Sequence, residues 1–364
     1  MKPENQDFLT SQIITYLGNK RALAPLISEA VEGVLRTENK DKLAICDLFS
    51  GSGVCARHLK RFSRELYVND LEQYCAVINR CYLANQTELD LPLLKRQHAF
   101  LLGELEKGLH DGFVSRLYAP QDSSDVKQGE RAFFTTRNAR YIDTCRALIE
   151  GLPEEQRSFF VAPLLYEASV KNNTGGVFKG FYKDRQGLGC FGGQDKNALS
   201  RILADIRLPF PVFSNFDSRV VVAQQDANQL VKDLPPLDLI YIDPPYNQHP
   251  YGSNYFILNL ICDYREPREL SPVSGIPKGW NRSAYNKKAR HKSAFFDLCA
   301  RAQAKYLLIS FSSDAFLPLD ELKTGLSEIG HVTVTELKYN VYRASRNLSS
   351  RDIHLNEYLF LVKK

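Results

Sequence analysis

Near the N-terminus the apolar positions switch between two periodicities. Over 21–35, RALAPLISEAVEGVL, the residues Leu23, Leu26, Ile27, Ala30, Val31 and Val34 recur at helical spacing. Pro25 is tolerated only in a first turn, which sets the start of that helix just before it. A short apolar run, LAICDLF (43–49), then breaks at Ser50-Gly51-Ser52-Gly53 and gives way to VCARHLKRF. Strand, tight turn and helix are predicted in that order. A second strand, ELYVND, ends at Asp70 and leads into a helical stretch, LEQYCAVINRCYLAN. From 86 to about 218 the alternation lapses, and helical patterns mix with loops such as KNNTGGVFKGFYKDRQGLGCFGGQ (171–194). It returns at RVVVAQQD (219–226), LDLIYID (237–243) and AKYLLISFSS (304–313), and two β-like runs, HVTVTELKY (331–339) and NEYLFLVKK (356–364), close the chain.

Strands alternating with helices at both ends predict an α/β fold with a mainly parallel, doubly wound sheet. The last two runs predict an antiparallel hairpin at its edge, and the middle third reads as an insertion between two strands. A chain of 364 residues has room for one large domain or two ordinary ones. It has no apolar run near the roughly 20 residues a membrane helix needs, and the polar start MKPENQDFLT lacks a secretory core, so a cytoplasmic protein is expected. Eight cysteines form no CxxC pair and no cluster with zinc-ligand spacing. They read as reduced, mostly buried thiols, and no metal site is predicted. The net charge of +5 is modest, but KGWNRSAYNKKARHK (278–292) holds six Lys or Arg, no acid, and two aromatics, Trp280 and Tyr285. Such a segment suits a phosphate backbone with rings for stacking, or a solvated loop.

The chemistry begins at Asp47-Leu-Phe-Ser-Gly51-Ser-Gly53. Glycines let a chain turn sharply from strand to helix and approach a ligand closely. Asp70, at the end of the next strand, is placed to accept hydrogen bonds from both hydroxyls of a ribose. These features predict a nucleoside pocket and serve NAD and S-adenosylmethionine alike, although the third glycine of GxGxxG is missing here. Asp243-Pro244-Pro245-Tyr246 follows an apolar strand directly, at the sheet edge where open α/β sheets bind ligands. Its prolines offer carbonyls but no N–H, so the turn is rigid and rich in acceptors. Such a turn holds an amine: the carboxylate and a proline carbonyl each take one hydrogen, and Tyr246 gives a base a face to stack on. The nitrogen lone pair is thereby aimed at an electrophilic methyl.

With these residues in order, the sequence resembles the Dam-type (D12 class) adenine-specific N6 DNA methyltransferases. Tyr16-Leu-Gly-Asn-Lys20-Arg-Ala-Leu is similar to their N-terminal signature, and Asp47-Leu-Phe-Ser-Gly-Ser-Gly to their glycine motif. Asp243-Pro-Pro-Tyr is similar to their catalytic motif, Asn356-Glu-Tyr-Leu-Phe-Leu to their closing strand, and NNTGGVFKGF (172–181) to a stretch in some members. The resemblance implies a Rossmann-like S-adenosylmethionine-dependent methyltransferase sheet with an inserted target-recognition domain. Residues 1–85 with 219–364 would form the catalytic domain and 86–218 the inserted region. It implies S-adenosyl-L-methionine as cofactor and Asp243, Pro244, Pro245 and Tyr246 as the catalytic residues. Tyr16 and Lys20 would contact the cofactor, Lys20 near its carboxylate. Asp47, Phe49, Ser50, Gly51 and Gly53 would wrap its methionine and ribose, with Asp243 also beside it. Asp70 would take the ribose hydroxyls and Asp226 would face the adenine. The position of Tyr16 is a tryptophan in some relatives, and either ring could pack on the adenine.

The implied activity is methylation of adenine N6 in a short duplex DNA sequence, by a solitary modifier or by one paired with a cognate restriction endonuclease. Within the insertion Lys171, Asn172, Asn173, Lys179, Lys183 and Arg185 are candidate base readers. Residues 248–255, QHPYGSNY, could hold a base flipped from the duplex. Three readings compete: the same chemistry on an RNA amine, an NAD-dependent oxidoreductase, and an inactive DNA-binding partner subunit. Cytosine as target is disfavoured because amine-directed cytosine enzymes more often carry Ser where Asp243 stands.

Overall fold

A computed structural model describes residues 3–340 and 354–364, apart from Asn247 and Asp314. Its seven strands are β1 (Leu43–Asp47), β2 (Ser63–Asn69), β3 (Arg219–Ala223), β4 (Leu237–Ile242), β5 (Ala304–Ser312), β6 (His331–Asn340) and β7 (His354–Lys363). They form one sheet in the order β3-β2-β1-β4-β5-β7-β6. The first five strands run parallel, while β7 lies antiparallel to β5 on one side and to β6 on the other. This is the Rossmann-like arrangement of a methyltransferase sheet.

Every residue of β1 and of β4 is buried, as two-faced burial of central parallel strands requires. That explains why LAICD and LDLIYI read as mainly apolar runs, each with one acid, rather than alternating ones. The closing hairpin forms as expected, with one refinement: its second strand enters the sheet beside β5, and β6 takes the edge. The early helix spans Ala24–Glu38, with Pro25 in its first turn and Ile27, Val31, Val34 and Leu35 buried.

Contacts divide the chain into two compact units. One, Asn19–Asn79 with Phe216–Pro250 and Asn281–Lys364, holds the whole sheet. The other, Met1–Gly18 with Arg80–Asn215 and Tyr251–Trp280, is built from helices including Leu91–Lys107, Thr136–Glu150, Glu154–Val170 and Phe256–Asp263. The sequence boundaries, 86–218 against the rest, therefore differ from the division by contact, because 1–18 and 251–280 pack with the helices. Within that helical unit Arg146, nearly inaccessible, donates to the carbonyls of Ile261 and Cys262. Tyr118, Phe133, Phe178 and Phe256 form an aromatic cluster. These contacts tie 256–263 to helices more than a hundred residues earlier, which no local pattern announces.

The eight cysteines are free thiols, six of them buried. Among the described residues no helix is long and apolar enough to cross a membrane.

Candidate active site

The sheet unit brings its chemistry to the carboxyl ends of β1, β2 and β4, which neighbour one another. After β1 the chain turns tightly: Gly53 N donates to Ser50 O (2.8 Å), and Gly51 and Gly53 hold φ of 50° and 78°. The space is as restrictive as the torsion, for a Cβ on Gly53 would lie 2.7 Å from Asn79 Oδ1. Asn79 itself donates to Ser50 Oγ (2.9 Å) and Cys75 O (2.9 Å), pinning the loop to the helix Gln73–Tyr82. Asn69, the last residue of β2, donates to Leu48 O and Gln225 O and accepts from Gln225 N, joining the loops that follow β1, β2 and β3. Neither asparagine belongs to a motif, so sequence reasoning missed both. The only available signal was an amide sitting among apolar neighbours in VND and AVIN.

Asp70 holds the glycine loop from the other side. Its Oδ2 accepts from Gly51 N (2.8 Å) and its Oδ1 from Glu72 N (2.9 Å). Burial pushes its carboxyl above the usual range. Asp47 is fully buried, and neither of its oxygens reaches hydrogen-bond geometry with a protein donor. Burial, then the charges of Asp243 and Asp70, push its pKa well up, and the nearby Phe49 and Ala56 amides offset this only in part. A buried carboxylate lacking a donor is costly in isolation. It suits a cationic, donor-rich ligand, which the ammonium and sulfonium of S-adenosylmethionine together provide. With the glycine cradle beside it, this donor-poor acid makes a site that fits that cofactor.

At the end of β4, Asp243 meets Lys20. Lys20 Nζ lies 3.4 Å from Asp243 Oδ1 and 3.6 Å from Glu357 Oε2, and donates to Tyr246 Oη at 2.9 Å. It also sits 5.1 Å from the centre of the Tyr246 ring. Burial disfavours the Lys20 cation, but Asp243, Tyr246 and Glu357 outweigh it and hold its pKa well above the usual value. Burial raises the Asp243 pKa to about 6, with Lys20 opposing the shift. Burial likewise pushes the Tyr246 phenol up. Lys20 thus faces the catalytic turn. Glu357, on β7 opposite Ser312, was absent from the sequence prediction because nothing about NEYLFL shows which partner its acid meets. The backbone of the turn is fixed as well, since Phe316 N donates to Tyr246 O (3.1 Å).

Three further predicted residues have contacts of their own. Asp226 caps the helix Ala227–Asp233, its Oδ1 accepting from Asn228 N and Gln229 N. Phe49 meets the ring of Tyr285 edge-on at 5.1 Å. That contact corrects one expectation: Tyr285 is 1% exposed and its hydroxyl donates to Asn228 Oδ1, so it is a core ring and offers no face to a nucleic acid. Tyr16 belongs to the helical unit, where it stacks with Tyr251 and Tyr255 at 4.9 Å each.

Two candidate base readers are also corrected. Asn172 is buried, donating to Ala168 O and Ser169 O and accepting from Thr174 Oγ1. Asn173 is 0% exposed, donating to Ala132 O and Cys190 O and accepting from Gly192 N. Both amides are spent on partners within their own unit and are buried away from a base edge. Lys171 pairs with Glu167 and Arg185 donates to Gln194. Lys179 and Lys183 are exposed.

Comparison with known proteins agrees with this geometry. The model of the D12 class N6 adenine-specific DNA methyltransferase family matches residues 16–271. The Type II methyltransferase M.NlaIII of Neisseria lactamica is 27% identical, covering 96% of this chain and 99% of that protein. The Type II methyltransferase M.CviAII of Paramecium bursaria Chlorella virus 1 is 28% identical over 96% of this chain and 98% of its own. The Type II methyltransferase M.FokI of Planomicrobium okeanokoites is 26% identical over 96% of this chain but only 52% of its own length.

Proposed function

Since this chain belongs to the D12 class of N6 adenine-specific DNA methyltransferases, we propose that it methylates adenine within a short duplex sequence, with S-adenosylmethionine as donor and Asp243 as the residue that holds the target amine. The cofactor, when bound, supplies a methyl group on a positively charged sulfur. The observation that carries the reading is a largely buried carboxylate, Asp243, braced by Lys20 beside the donor-poor Asp47 and the Gly51–Gly53 turn.

The amine of adenine is a poor nucleophile because its lone pair is conjugated with the ring. Asp243 takes one N6 hydrogen and the Pro244 carbonyl the other, which draws the nitrogen toward a tetrahedral shape and frees the lone pair. Positive charge growing on that nitrogen is stabilised by the carboxylate, an effect typically worth 10²–10³ in rate for one well-placed group. The surplus proton then passes to Asp243, which a pKa of about 6 allows it to accept and release again near neutrality. Lys20 keeps the carboxylate from turning away and Tyr246 supplies the stacking face. Asp47, Phe49, Ser50, Gly51, Gly53 and Asp70 would hold the cofactor, with Asp226 at its adenine. The flipped base is reached at a cost of a few kcal/mol.

The helical unit is proposed as the target reader, with Lys179 and Lys183 as the exposed candidates. The relatives named above are type II methyltransferases, which supports a role beside a cognate endonuclease and hence in the cytoplasm. The test is an assay with radiolabelled S-adenosylmethionine on unmodified genomic DNA and on total RNA, followed by nucleoside analysis. Label in N6-methyldeoxyadenosine is the expected result. Label confined to RNA would overturn the substrate, and label in neither would point to an inactive subunit.

A further inference from the structure

The basic segment singled out in the sequence has a definite place in the sheet unit. From Asn281 to His291 it is fastened to the loops that follow four successive strands of the sheet. Asn281 Nδ2 donates to Leu71 O and to Glu72 Oε2, both at 3.2 Å, beyond β2. Tyr285 packs on Phe49 beyond β1 and donates to Asn228 beyond β3 (2.8 Å). Asn286 Nδ2 donates to His249 O (3.4 Å), six residues past Asp243 beyond β4. His291, buried, has its Nδ1 3.1 Å from Tyr285 O and closes the segment on itself. These anchors hold the strap against the mouth of the active site.

What the strap turns outward is positive charge. Lys287, Lys288 and Arg290 are exposed, and no ion pair joins any of them to a described residue. Their neighbours are neutralised: Lys292 pairs with Glu321 at 2.7 Å and Lys278 with Glu269 at 2.6 Å. Elsewhere exposed cations such as Arg116, Arg137, Arg140 and Arg301 each have an acid within 3 Å. Three unneutralised cations within four residues repel one another, and nothing in the packing of the strap requires them. A polyanion relieves that repulsion, and the active site next to them works on one. We infer that Lys287, Lys288 and Arg290 grip the phosphates flanking the target nucleotide, while the anchored face of the strap shapes the cofactor pocket. The strap so placed fixes where the duplex backbone runs relative to Asp243. The inference rests on the DNA-methyltransferase reading above and adds the surface by which the duplex is seated.

The experiment compares the full-length protein with the K287A/K288A/R290A variant, measuring duplex affinity over a range of salt concentrations. Each phosphate contact contributes a slope of about 0.9 to the fall of log affinity with log salt. Loss of three should therefore reduce the slope by about 2.7 and weaken binding on the order of 10²-fold at 0.1 M salt. The loss should be equal on cognate and unrelated duplexes, because phosphates carry no sequence. Affinity for S-adenosylhomocysteine should not change and the thermal midpoint should not fall, since the three side chains are exposed and pack on nothing the strap needs. The charge-conserving K287R/K288R/R290K variant should keep the wild-type slope. An unchanged slope in the alanine variant, or a lowered one in the charge-conserving variant, overturns the assignment while leaving DNA methylation standing. A wild-type protein that binds no duplex at any salt concentration overturns the DNA reading itself, and the strap's role with it.

Discussion

Polar side chains are buried in two places in this molecule, to opposite ends. In the loop beginning at Asn172 every buried amide is matched within its own unit: Asn173 alone makes three hydrogen bonds to backbone groups. At the ends of β1 and β4 the matching is incomplete. Asp47 is left short of donors, and Asp243 and Glu357 share one lysine at ion-pair rather than close hydrogen-bond distance. A saturated site specifies a fold, whereas a site left short of donors is ready for a ligand that brings them. Both segments looked like functional motifs in the sequence, because residue type shows which groups can bond and not which have already done so.

The comparison breaks most visibly at Asp243. Asp243→Ala should lower kcat by at least about 10²–10³ while S-adenosylhomocysteine affinity, read by calorimetry, stays within a few-fold; undiminished turnover would remove it from the reaction. Lys20→Met comes next. Removing one partner of a buried ion-pair cluster typically costs 3–5 kcal/mol, so the thermal midpoint should drop clearly, and Glu357→Gln should recover part of that loss by removing one of the two acid charges that Lys20 offsets. Asn173→Ala tests the saturated side. It should destabilise by about 1–3 kcal/mol through stranded backbone partners, yet leave the sequence preference of methylation intact; a changed recognition sequence would return Asn173 to the base readers. Tyr285→Phe should have the smallest effect, about 0.5–1.5 kcal/mol for one lost hydrogen bond, with donor affinity nearly unchanged.

Much of the fold was legible, and for identifiable reasons. β1 and β4 are buried on both faces and so read as short apolar runs, and Pro25 marked a helix start by its missing N–H. The glycine turn and Asp243-Pro-Pro-Tyr246 were legible because their chemistry depends on contiguous residues. What escaped depends on partners distant in sequence. Lys20 and Glu357 are separated by nearly the whole chain and meet only because β7 slots in beside β5. Tyr285 looked like a surface ring amid lysines until Phe49 and Asn228 claimed it. Asn69 and Asn79 work through backbone carbonyls, which any sequence supplies and none displays.

The central claim is that Asp243 acts as a carboxylate braced by Lys20. Its folded pKa, about 6, lies above the roughly 3.9 of an unfolded aspartate. Between those values the folded chain binds a proton that the unfolded chain releases, so this group's contribution to stability falls as pH rises through the window, while the active carboxylate form grows. The most direct measurement is the pH dependence of kcat/KM for the wild-type protein and for Lys20→Met, on a methylatable duplex at fixed ionic strength. The account predicts activity lost as pH falls through about 6 in the wild type, and the same limb moved to higher pH without Lys20, because burial of Asp243 is then unopposed. A limb that stays in place in Lys20→Met, accompanied only by weaker cofactor binding, would contradict it and return Lys20 to the cofactor.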